Sequence, residues 1–365
     1  MTKSNAQFDK INRVLSHYSL GSLIDYTQNK RGYVNLSFAI KTEQNGKIGS
    51  YFLRQYKLGI LEEEIRFEHS LINHVVTLGQ LPVARVYPTV EGTTYVKEEL
   101  PTESDQYIYY AIFDYLPGED KYTWINPHCT PGELQESAQL LAQYHRTVWG
   151  FTPAGFRREA GIADYLKPIQ NNLHTCLSNP NLRVFNQYLL PHKDFFDQKI
   201  AQLSDLFHCE KTQGLPQLII HGDFHPGNLK FQDGHVVGLF DFDWAKKDYR
   251  LYDLALATFY FCTEWEGIMH SELRVEEAAH FIKYYQDQIR MNGDLPLLST
   301  EELALLGQFI ESANLYVLNW TIEDINHKTV NPDEYIPYLK HGIQMALWLD
   351  NPSNQNWISA LASYI

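Results

Sequence analysis

The sequence lacks the features that mark membrane, secreted and disulfide-bonded proteins. No apolar run approaches the roughly 18 residues that a membrane-spanning helix needs, and the opening MTKSNAQFDK lacks the apolar core of a secretion signal. Only four cysteines occur in 365 residues, and none forms a Cys-x-x-Cys pair. This pattern predicts reduced thiols rather than a disulfide framework or a zinc site. We therefore expect a cytoplasmic protein with no membrane partner.

Basic residues are scarce relative to acidic ones. The chain carries 30 Lys and Arg against 44 Asp and Glu, a formal net charge of −14. Broad nucleic-acid binding depends on Lys and Arg to neutralise phosphates, so we expect no nucleic-acid partner. An acidic surface tolerates cationic small molecules better. The length of 365 residues exceeds one ordinary core and predicts two domains.

One stretch, 218–244, concentrates residues with catalytic chemistry. It begins with a short apolar run typical of a buried strand, and Asp223 follows three residues later. Asn228 comes next, and the Asp233-Gly234 pair then predicts a tight hairpin. Because a hairpin returns the chain to its start, we expect Asp223, Asn228 and Asp241 to lie close together.

These three side chains suit phosphoryl transfer. Asp223 is expected to accept the proton of an attacking hydroxyl, and Asn228 and Asp241 offer oxygen ligands to Mg²⁺. A rival interpretation uses His221, Asp223 and His225 as the ligands of a metal-dependent hydrolase. That alternative leaves Asp241 and its hairpin without a role.

At these residues the chain resembles the aminoglycoside phosphotransferases, choline kinases and type II homoserine kinases, which share a protein-kinase-like fold. The resemblance lies in HGDFHPGN at 221–228, GLFDFDWA at 238–245 and YDLALA at 252–257. It implies Asp223 as the catalytic base, Asn228 and Asp241 as metal ligands, and Asp253 as an acid that braces the catalytic loop. Asp243 departs from the glycine of the kinase Asp-Phe-Gly triplet, so it is open to a role toward metal or substrate.

The resemblance implies an α+β, bilobal fold. A small N-terminal lobe with an antiparallel sheet spans 1–114 and binds the nucleotide, and a larger, mainly helical lobe spans 115–365. The hinge falls at 114–118, DYLPG, where the Asp114 carbonyl and the Leu116 amide are expected to contact the adenine ring.

Four further residues are expected to contact the nucleotide or to support that contact. Gly32 and Asn35 lie in a loop between two predicted strands, where a glycine lets the backbone approach phosphates. Arg54 stands where the kinase family carries a phosphate-contacting lysine. Glu68 on the following predicted helix is the expected ion-pair partner of Arg54, with Glu64 as the competitor.

Local patterns predict further elements. Asn45-Gly46 predicts a hairpin between two N-terminal strands, and strands are expected at 83–90 and 93–99. Thr130-Pro-Gly-Glu133 predicts a capped helix start. The segment from Pro153 to Pro191 has no clear periodicity, and the remainder after the catalytic stretch is predicted to be helical.

The acceptor is expected to be a small alcohol that also carries an amine, such as an amino alcohol, a homoserine-like amino acid or an amino sugar. An amine can be held by carboxylates and aromatic faces, and the residues expected to do so are Asp243, Trp265, Glu266, Trp320, Glu323 and Asp324. We thus predict a small-molecule kinase that uses ATP, with GTP as an alternative, and Mg²⁺. A nucleotide-binding pseudokinase or regulatory module is the alternative from another class. The oligomeric state is open, with a homodimer among the options.

Overall fold

The computed structural model describes residues 5–29, 35–100, 106–125, 127–265 and 271–354. The chain divides into two compact units, which are described one at a time. Unit 1 comprises Met1–Gly118, Thr152–Arg157 and Val237–Phe240; unit 2 comprises Glu119–Phe151, Arg158–Val236 and Asp241–Ile365. The lobe boundary at 114 remains a sequence prediction.

Unit 1 is built on a five-stranded antiparallel sheet with strand order β1-β2-β3-β5-β4. The hairpin between β2 and β3 turns at Asn45 and Gly46, whose φ angles are 53° and 76°. Both positive angles are those of the tight turn that Asn-Gly favours, so this predicted hairpin is confirmed. The elements are α1 (Asn5–Leu15), β1 (Ser22–Asn29), β2 (Leu36–Gln44), β3 (Lys47–Gln55), α2 (Glu62–Thr77), β4 (Val96–Glu99) and β5 (Tyr107–Asp114).

The strand predicted at 83–90 is wrong. Only isolated bridges form there, from Val83 to Leu239 and from Val86 to Phe113. The segment contains a proline at 88 and follows one at 82. Because proline has no N–H to donate to a ladder and restricts its neighbour, the two prolines limit regular pairing.

The described elements after Gly118 are mainly helical, and their strands form two two-stranded sheets. The predicted strand turn at Asp233-Gly234 is present, with φ angles of 53° and 84°. The elements are α3 (Pro131–Thr147), α4 (Ile162–Ser178), α5 (Arg183–Leu189), α6 (Lys193–His208), α7 (Glu210–Gln213), β6 (Gln217–Ile220), β7 (Leu229–Gln232), β8 (His235–Leu239), β9 (Lys246–Tyr249), α8 (Arg250–Cys262), α9 (Val275–Asn292), α10 (Thr300–His327) and α11 (Pro332–Asp350).

Two helices of unit 2 begin at capping boxes, and that of α3 is the predicted one. The Thr130 side chain accepts from the Glu133 N–H, and the Glu133 carboxylate accepts from the Thr130 N–H at 3.0 Å. Ser299 and Glu302 cap α10 in the same reciprocal way. Glu302 also forms a buried ion pair with Arg250, 2.6 Å from Nη2, so one carboxylate fixes the start of both α8 and α10.

Helix α8 is the centre of unit 2. Each of its residues from Arg250 to Cys262 is buried, as its nearly uninterrupted apolar sequence predicts. The helix follows β9 directly and packs beside β6, α9 and α10. It is therefore placed to support the loop that follows β6. Among the described helices, none has the apolar length that a bilayer crossing demands.

Candidate active site

Strand pairing brings together the two segments that carry the predicted catalytic residues. Segment 221–228 follows β6, and segment 241–245 precedes β9. The two strands pair antiparallel, with Ile220 opposite Lys246. Since antiparallel pairing sets the end of one strand beside the start of the other, both segments lie at the same edge of unit 2.

Gly222 allows these two segments to approach each other closely. Its φ is +75°, and a Cβ at this position would lie 2.4 Å from the Trp244 carbonyl oxygen. Any side chain would therefore collide with backbone rather than with a movable group. Glycine is required here both for the left-handed conformation and for the approach.

Three side chains of unit 2 hold the Asp223 carboxylate. Asn228 Nδ2 donates to Asp223 Oδ2 at 2.8 Å and to its backbone carbonyl at 2.9 Å. The Tyr260 hydroxyl donates a hydrogen bond to the same carboxylate. His225 Nε2 lies 3.4 Å from Asp223 Oδ2, and 19% of the Asp223 side chain stays exposed. The carboxylate is thus oriented yet still accessible to a substrate hydroxyl.

The hydrogen bonds also fix which groups can donate to Asp223. His225 Nδ1 accepts the Gly227 N–H at 3.0 Å, so the proton of the neutral ring is on Nε2, toward Asp223. Burial, and then the charge and hydrogen bond of Asp223, raise the Tyr260 pKa well above its usual value. Tyr260 is therefore a protonated donor at neutral pH.

Asp253 braces the start of the loop, as the resemblance implies. Its carboxylate accepts the backbone N–H groups of His221 at 2.8 Å and Gly222 at 2.9 Å. His145 Nε2 lies 3.0 Å from the same carboxylate, and His145 Nδ1 lies 2.7 Å from the Tyr285 hydroxyl. Burial raises the Asp253 pKa, but the hydrogen bond and charge of His145 outweigh it, and the net pKa is lowered. The buried Asp253 carboxylate is thus ionised, and both of its oxygens accept hydrogen bonds.

Asn228 and Asp241 carry oxygen donors in the two catalytic segments. The Asp241 backbone has a φ of 68°, a left-handed conformation that costs free energy for a residue with a side chain. Asn228 uses Nδ2 for both bonds to Asp223, which leaves Oδ1 as an oxygen donor. A carboxylate and an amide oxygen fit the hard ligand set that Mg²⁺ prefers. Asp243 is half-buried in the same segment.

The rival hydrolase site is wrong. Among the described residues no group of three or more His, Cys, Asp or Glu side chains is arranged to hold a metal ion. His221 is fully buried and packs against Phe242, with ring centroids 4.8 Å apart. Its Nδ1 accepts the Asp223 N–H at 3.3 Å, so this histidine is part of the core beneath the loop.

In unit 1, Arg54 forms an ion pair with Glu68, with Nη1 2.9 Å from Oε1. This confirms the predicted partner. The competitor, Glu64, instead accepts the Leu61 N–H at 3.1 Å and caps α2. Glu68 Oε2 also accepts from the Tyr56 hydroxyl at 3.0 Å, so Glu68 is fixed from two sides.

The Arg54 network continues into the core of unit 1. The Tyr56 hydroxyl lies 2.9 Å from His69 Nε2, and His69 Nδ1 lies 2.7 Å from Thr94 Oγ1. Burial first, and then the positive charges of Arg54 and Arg157, lower the His69 pKa to about 3. His69 is therefore neutral, and its two nitrogens can serve one donor and one acceptor.

The other predicted nucleotide contacts are placed as follows. Asn35 Oδ1 accepts the Lys57 N–H at 3.0 Å, which ties its loop to the end of β3. The Asp114 carboxylate accepts from the Tyr87 hydroxyl at 2.7 Å and from the Arg85 N–H at 3.1 Å. Leu116 is half-buried just beyond β5. Gly32 lies outside the described residues.

Two of the predicted acceptor residues meet through a third that the sequence did not single out. The Trp124 ring centroid lies 5.1 Å from that of Trp265 and 5.9 Å from that of Trp320. We call these three residues the tryptophan cluster. Tyr338 adds a ring 5.0 Å from Trp124, and His341 stacks on Trp265 at 3.4 Å.

The predicted acceptor carboxylates have different surroundings. Glu323 Oε1 accepts from the amides of Asn172 at 2.9 Å and Asn319 at 3.0 Å. Asp324 accepts from the Tyr335 hydroxyl at 2.7 Å and pairs with Lys328 at 2.6 Å. Asp324 is therefore already balanced by a cation, whereas the two amides that donate to Glu323 are neutral. Glu266 lies outside the described residues.

Sequence reasoning missed Tyr260 because α8 reads as a uniformly buried helix. A signal was present, however. Tyr260 lies seven residues after Asp253, which is two helical turns, so both face the same side. Once Asp253 is placed beneath the catalytic loop, Tyr260 is expected to face that loop too.

Comparisons with known proteins show the family and the relatives of this chain. Residues 25–290 match the family model described as "Phosphotransferase enzyme family". A homoserine kinase from Parvibaculum lavamentivorans is 26% identical over 341 residues, which cover 91% of this chain and 92% of that protein. A homoserine kinase from Afipia carboxidovorans is 26% identical over 347 residues and covers 91% of each chain.

Solved structures show the same fold. An amicoumacin kinase in complex with AMP-PNP, Ca²⁺ and its ligand has a TM-score of 0.65 at 16% identity, covering 94% of this chain and 93% of that one. A microcompartment-associated aminopropanol kinase has a TM-score of 0.61 at 15% identity, covering 97% and 98%. The α+β fold predicted from the sequence, that of the phosphotransferases with a protein-kinase-like architecture, is therefore confirmed.

Proposed function

Because the chain belongs to the phosphotransferase enzyme family, we propose that it transfers the γ-phosphate of ATP to a hydroxyl of a small molecule that also carries an amine. The enzyme class, a small-molecule kinase acting on a hydroxyl, follows from this membership and from its homoserine kinase relatives. The alternative of a pseudokinase or regulatory module is set aside. The identities of the acceptor, the nucleotide and the metal are proposals.

One observation carries the assignment of the chemistry. Asn228 donates a hydrogen bond to the Asp223 carboxylate at 2.8 Å. The loop that carries Asp223 is held in place by Asp253, which accepts the His221 N–H. In this arrangement Asp223 accepts the proton of the acceptor hydroxyl as its oxygen attacks the γ-phosphorus, and Tyr260 and Asn228 hold the carboxylate in the orientation for that transfer. The Asp223 carboxylate is thus held by hydrogen-bond donors, while 19% of its side chain stays exposed.

Asn228 Oδ1 and the Asp241 carboxylate are the proposed ligands of Mg²⁺. A bound Mg²⁺ neutralises charge on the nucleotide phosphates during transfer. ATP as donor rather than GTP, Mg²⁺ as the metal, a cytoplasmic location and a homodimer remain predictions.

In unit 1, Arg54 is the proposed phosphate-contacting cation. The ion pair with Glu68 holds the Arg54 guanidinium, and only 11% of the Arg54 side chain is exposed. The planar guanidinium, with its parallel N–H donors, suits phosphate oxygens. Asn35 and Gly32 are proposed to shape the phosphate loop, and Asp114 and Leu116 are proposed to contact adenine through their backbone groups.

The amine of the acceptor is proposed to lie against aromatic faces and carboxylate. The tryptophan cluster offers ring faces to an ammonium group, a contact worth about 0.5 to 2 kcal/mol. Glu323 and Asp243 are the proposed carboxylates, with Glu266 as a further one. Asp324 is the weakest of the set because Lys328 already pairs with it.

The proposal is tested by substituting the proposed base. Asp223→Asn keeps the size of the side chain but removes general-base help, so kcat should fall about 10²- to 10⁴-fold, measured as ADP release with a panel of amino alcohols, hydroxy amino acids and amino sugars. Asp233→Asn, in the exposed hairpin turn, is the matched control and should keep wild-type turnover. An Asp223→Asn enzyme with more than half of wild-type kcat would overturn the proposed mechanism.

A further inference from the structure

Lys246 is a buried cation whose role the described contacts do not explain. Only 2% of the residue is exposed, and it lies at the first position of β9, opposite Ile220. Within the described part of the chain, its Nζ has no hydrogen bond and no carboxylate within 4.0 Å. The Nζ lies over the Tyr316 ring, 5.4 Å from the ring centroid. Burying an ammonium without a close anion is unfavourable, because the charge loses its hydration and gains no partner in return.

The nearest acid along the strand does not neutralise Lys246. The Asp248 carboxylate accepts the N–H groups of Ile162 and Tyr249, each at 2.8 Å. Burial raises the Asp248 pKa to about 6, despite the opposing charge of Lys246. Burial likewise lowers the Lys246 pKa, against the attraction of Asp248, Glu159, Asp253 and Asp223. These anions act at a distance and leave the Nζ donors without an acceptor.

The position of Lys246 points to the acceptor site. Lys246 directly follows the catalytic segment 241–245, and its strand partner Ile220 directly precedes the segment 221–228 that carries Asp223, the proposed base. The electrostatic attraction between the Lys246 ammonium and Asp223 agrees with this placement. A molecule whose hydroxyl reaches Asp223 therefore has a buried cation beside it.

We propose that Lys246 is the counter-ion of a carboxylate on the acceptor. The inference rests on the proposed function and narrows it: among amino alcohols, amino sugars and hydroxy amino acids, only the last carries a carboxylate. The bound carboxylate accepts hydrogen bonds from Nζ and removes the cost of the isolated charge. Lys246 is thus a specificity-determining residue for a hydroxy amino acid.

A matched pair of acceptors tests this role. L-Homoserine and 3-aminopropan-1-ol have the same chain, amine and hydroxyl, and differ only in the carboxylate. The wild-type enzyme should prefer homoserine in kcat/KM. Lys246→Met should lower kcat/KM for homoserine about 100-fold, mainly through KM, since an unpaired carboxylate is then buried. The same substitution should change kcat/KM for 3-aminopropan-1-ol less than about 3-fold and leave the KM for ATP unchanged.

Lys247→Met is the control, because Lys247 is the exposed neighbour on the same strand and carries the same charge. It should leave both acceptors unaffected. A second readout needs no turnover: homoserine alone should raise the melting temperature of the wild type and of Lys247→Met but not of Lys246→Met. The Lys246→Met protein itself should melt at or above the wild-type temperature, because the substitution removes a buried charge.

The outcomes separate the inference from the proposed function. Equal losses for both acceptors, a raised KM for ATP, or a wild type that uses 3-aminopropan-1-ol as well as homoserine would overturn the role of Lys246 while the kinase assignment stands. A wild type that transfers phosphate to no acceptor of the panel would overturn the proposed function, and with it this inference.

Discussion

At the scale of single residues, the catalytic group is recognisable in sequence and its supports are not. Asp223 and Asn228 are five residues apart in a distinctive motif, and their hydrogen bond is local. Tyr260 and Lys246 lie on α8 and β9, where their side chains look like parts of a buried helix and a short strand. The pairing of β6 with β9 sets Lys246 next to the catalytic segments, whereas Tyr260 could be found only through its two-turn spacing from Asp253 on α8.

The Arg54 pair illustrates when a residue choice can be made from sequence. Glu64 and Glu68 lie one helical turn apart on α2, and either position is compatible with an ion pair to Arg54. The helix start decides between them, because Glu64 is needed to cap α2 at Leu61. A capping acid at the third helical position is a sequence-level signal, so the choice of Glu68 was open to prediction.

Tyr260→Phe tests the support of Asp223. The substitution removes one donor to the carboxylate and keeps the packing, so we expect kcat to fall about 10-fold, in line with about 1.5 kcal/mol for a hydrogen bond to a charged group. The measurement is the initial rate of ADP release at saturating ATP and acceptor.

Tyr284→Phe is the control for Tyr260→Phe, because Tyr284 stacks on His280 and is not part of the site. It should leave kcat unchanged. A Tyr260→Phe enzyme with wild-type kcat would show that the Tyr260 hydroxyl does not support the proposed base.

At the scale of elements, local chemistry determined what could be predicted. The two hairpin turns and the capped start of α3 are fixed by residues within four positions of one another, and they form as expected. The strand at 83–90 failed because alternating apolar residues suggested pairing while Pro82 and Pro88 prevented it. Segment 153–191 could not be assigned because α4 contains Pro168 and α5 is only 7 residues long.

Gly222→Ala tests the close approach of the two catalytic segments. The added Cβ would lie 2.4 Å from the Trp244 carbonyl oxygen in a residue with φ of +75°. We expect a loss of about 2 to 4 kcal/mol in the free energy of unfolding, from backbone strain together with displaced backbone, measured by urea denaturation.

Gly234→Ala separates the two contributions to that loss. Its φ is +84°, but nothing lies within 4 Å of the added Cβ. This control should therefore cost only about 1 kcal/mol, from the conformation alone. Equal losses at both positions would mean that the approach to Trp244 relaxes freely and does not constrain the site.

At the scale of the whole molecule, both units carry a buried histidine that folding keeps neutral. Burial, with the charges of Arg54 and Arg157, lowers the His69 pKa to about 3 in unit 1. Burial also lowers the His341 pKa to about 3 in unit 2. One acid acts in the opposite direction: burial raises the Asp248 pKa to about 6. No sequence pattern reveals these values, because they depend on long-range packing.

The directions of these three pKa shifts predict how the stability of the protein changes in mild acid. The two histidines stabilise the folded protein fully above their unfolded pKa of about 6.5, and this stability is lost as pH falls, because only the unfolded chain takes up their protons. Asp248 opposes them, because between about pH 6 and 4 its proton binds the folded state more tightly. Two protons favour unfolding and one favours folding, a net difference of about one proton.

We therefore expect the free energy of unfolding to fall by about 1.4 kcal/mol for each unit that the pH is lowered from 6 to 4.5, measured by urea denaturation. Asp248→Asn removes the opposing group, so its slope should rise to about 2.7 kcal/mol per unit whatever its absolute stability. His341→Asn removes one of the two histidines, and its slope should fall toward zero. If the wild type gained stability in this range, or if Asp248→Asn had the wild-type slope, these groups would not control the acid stability of the protein.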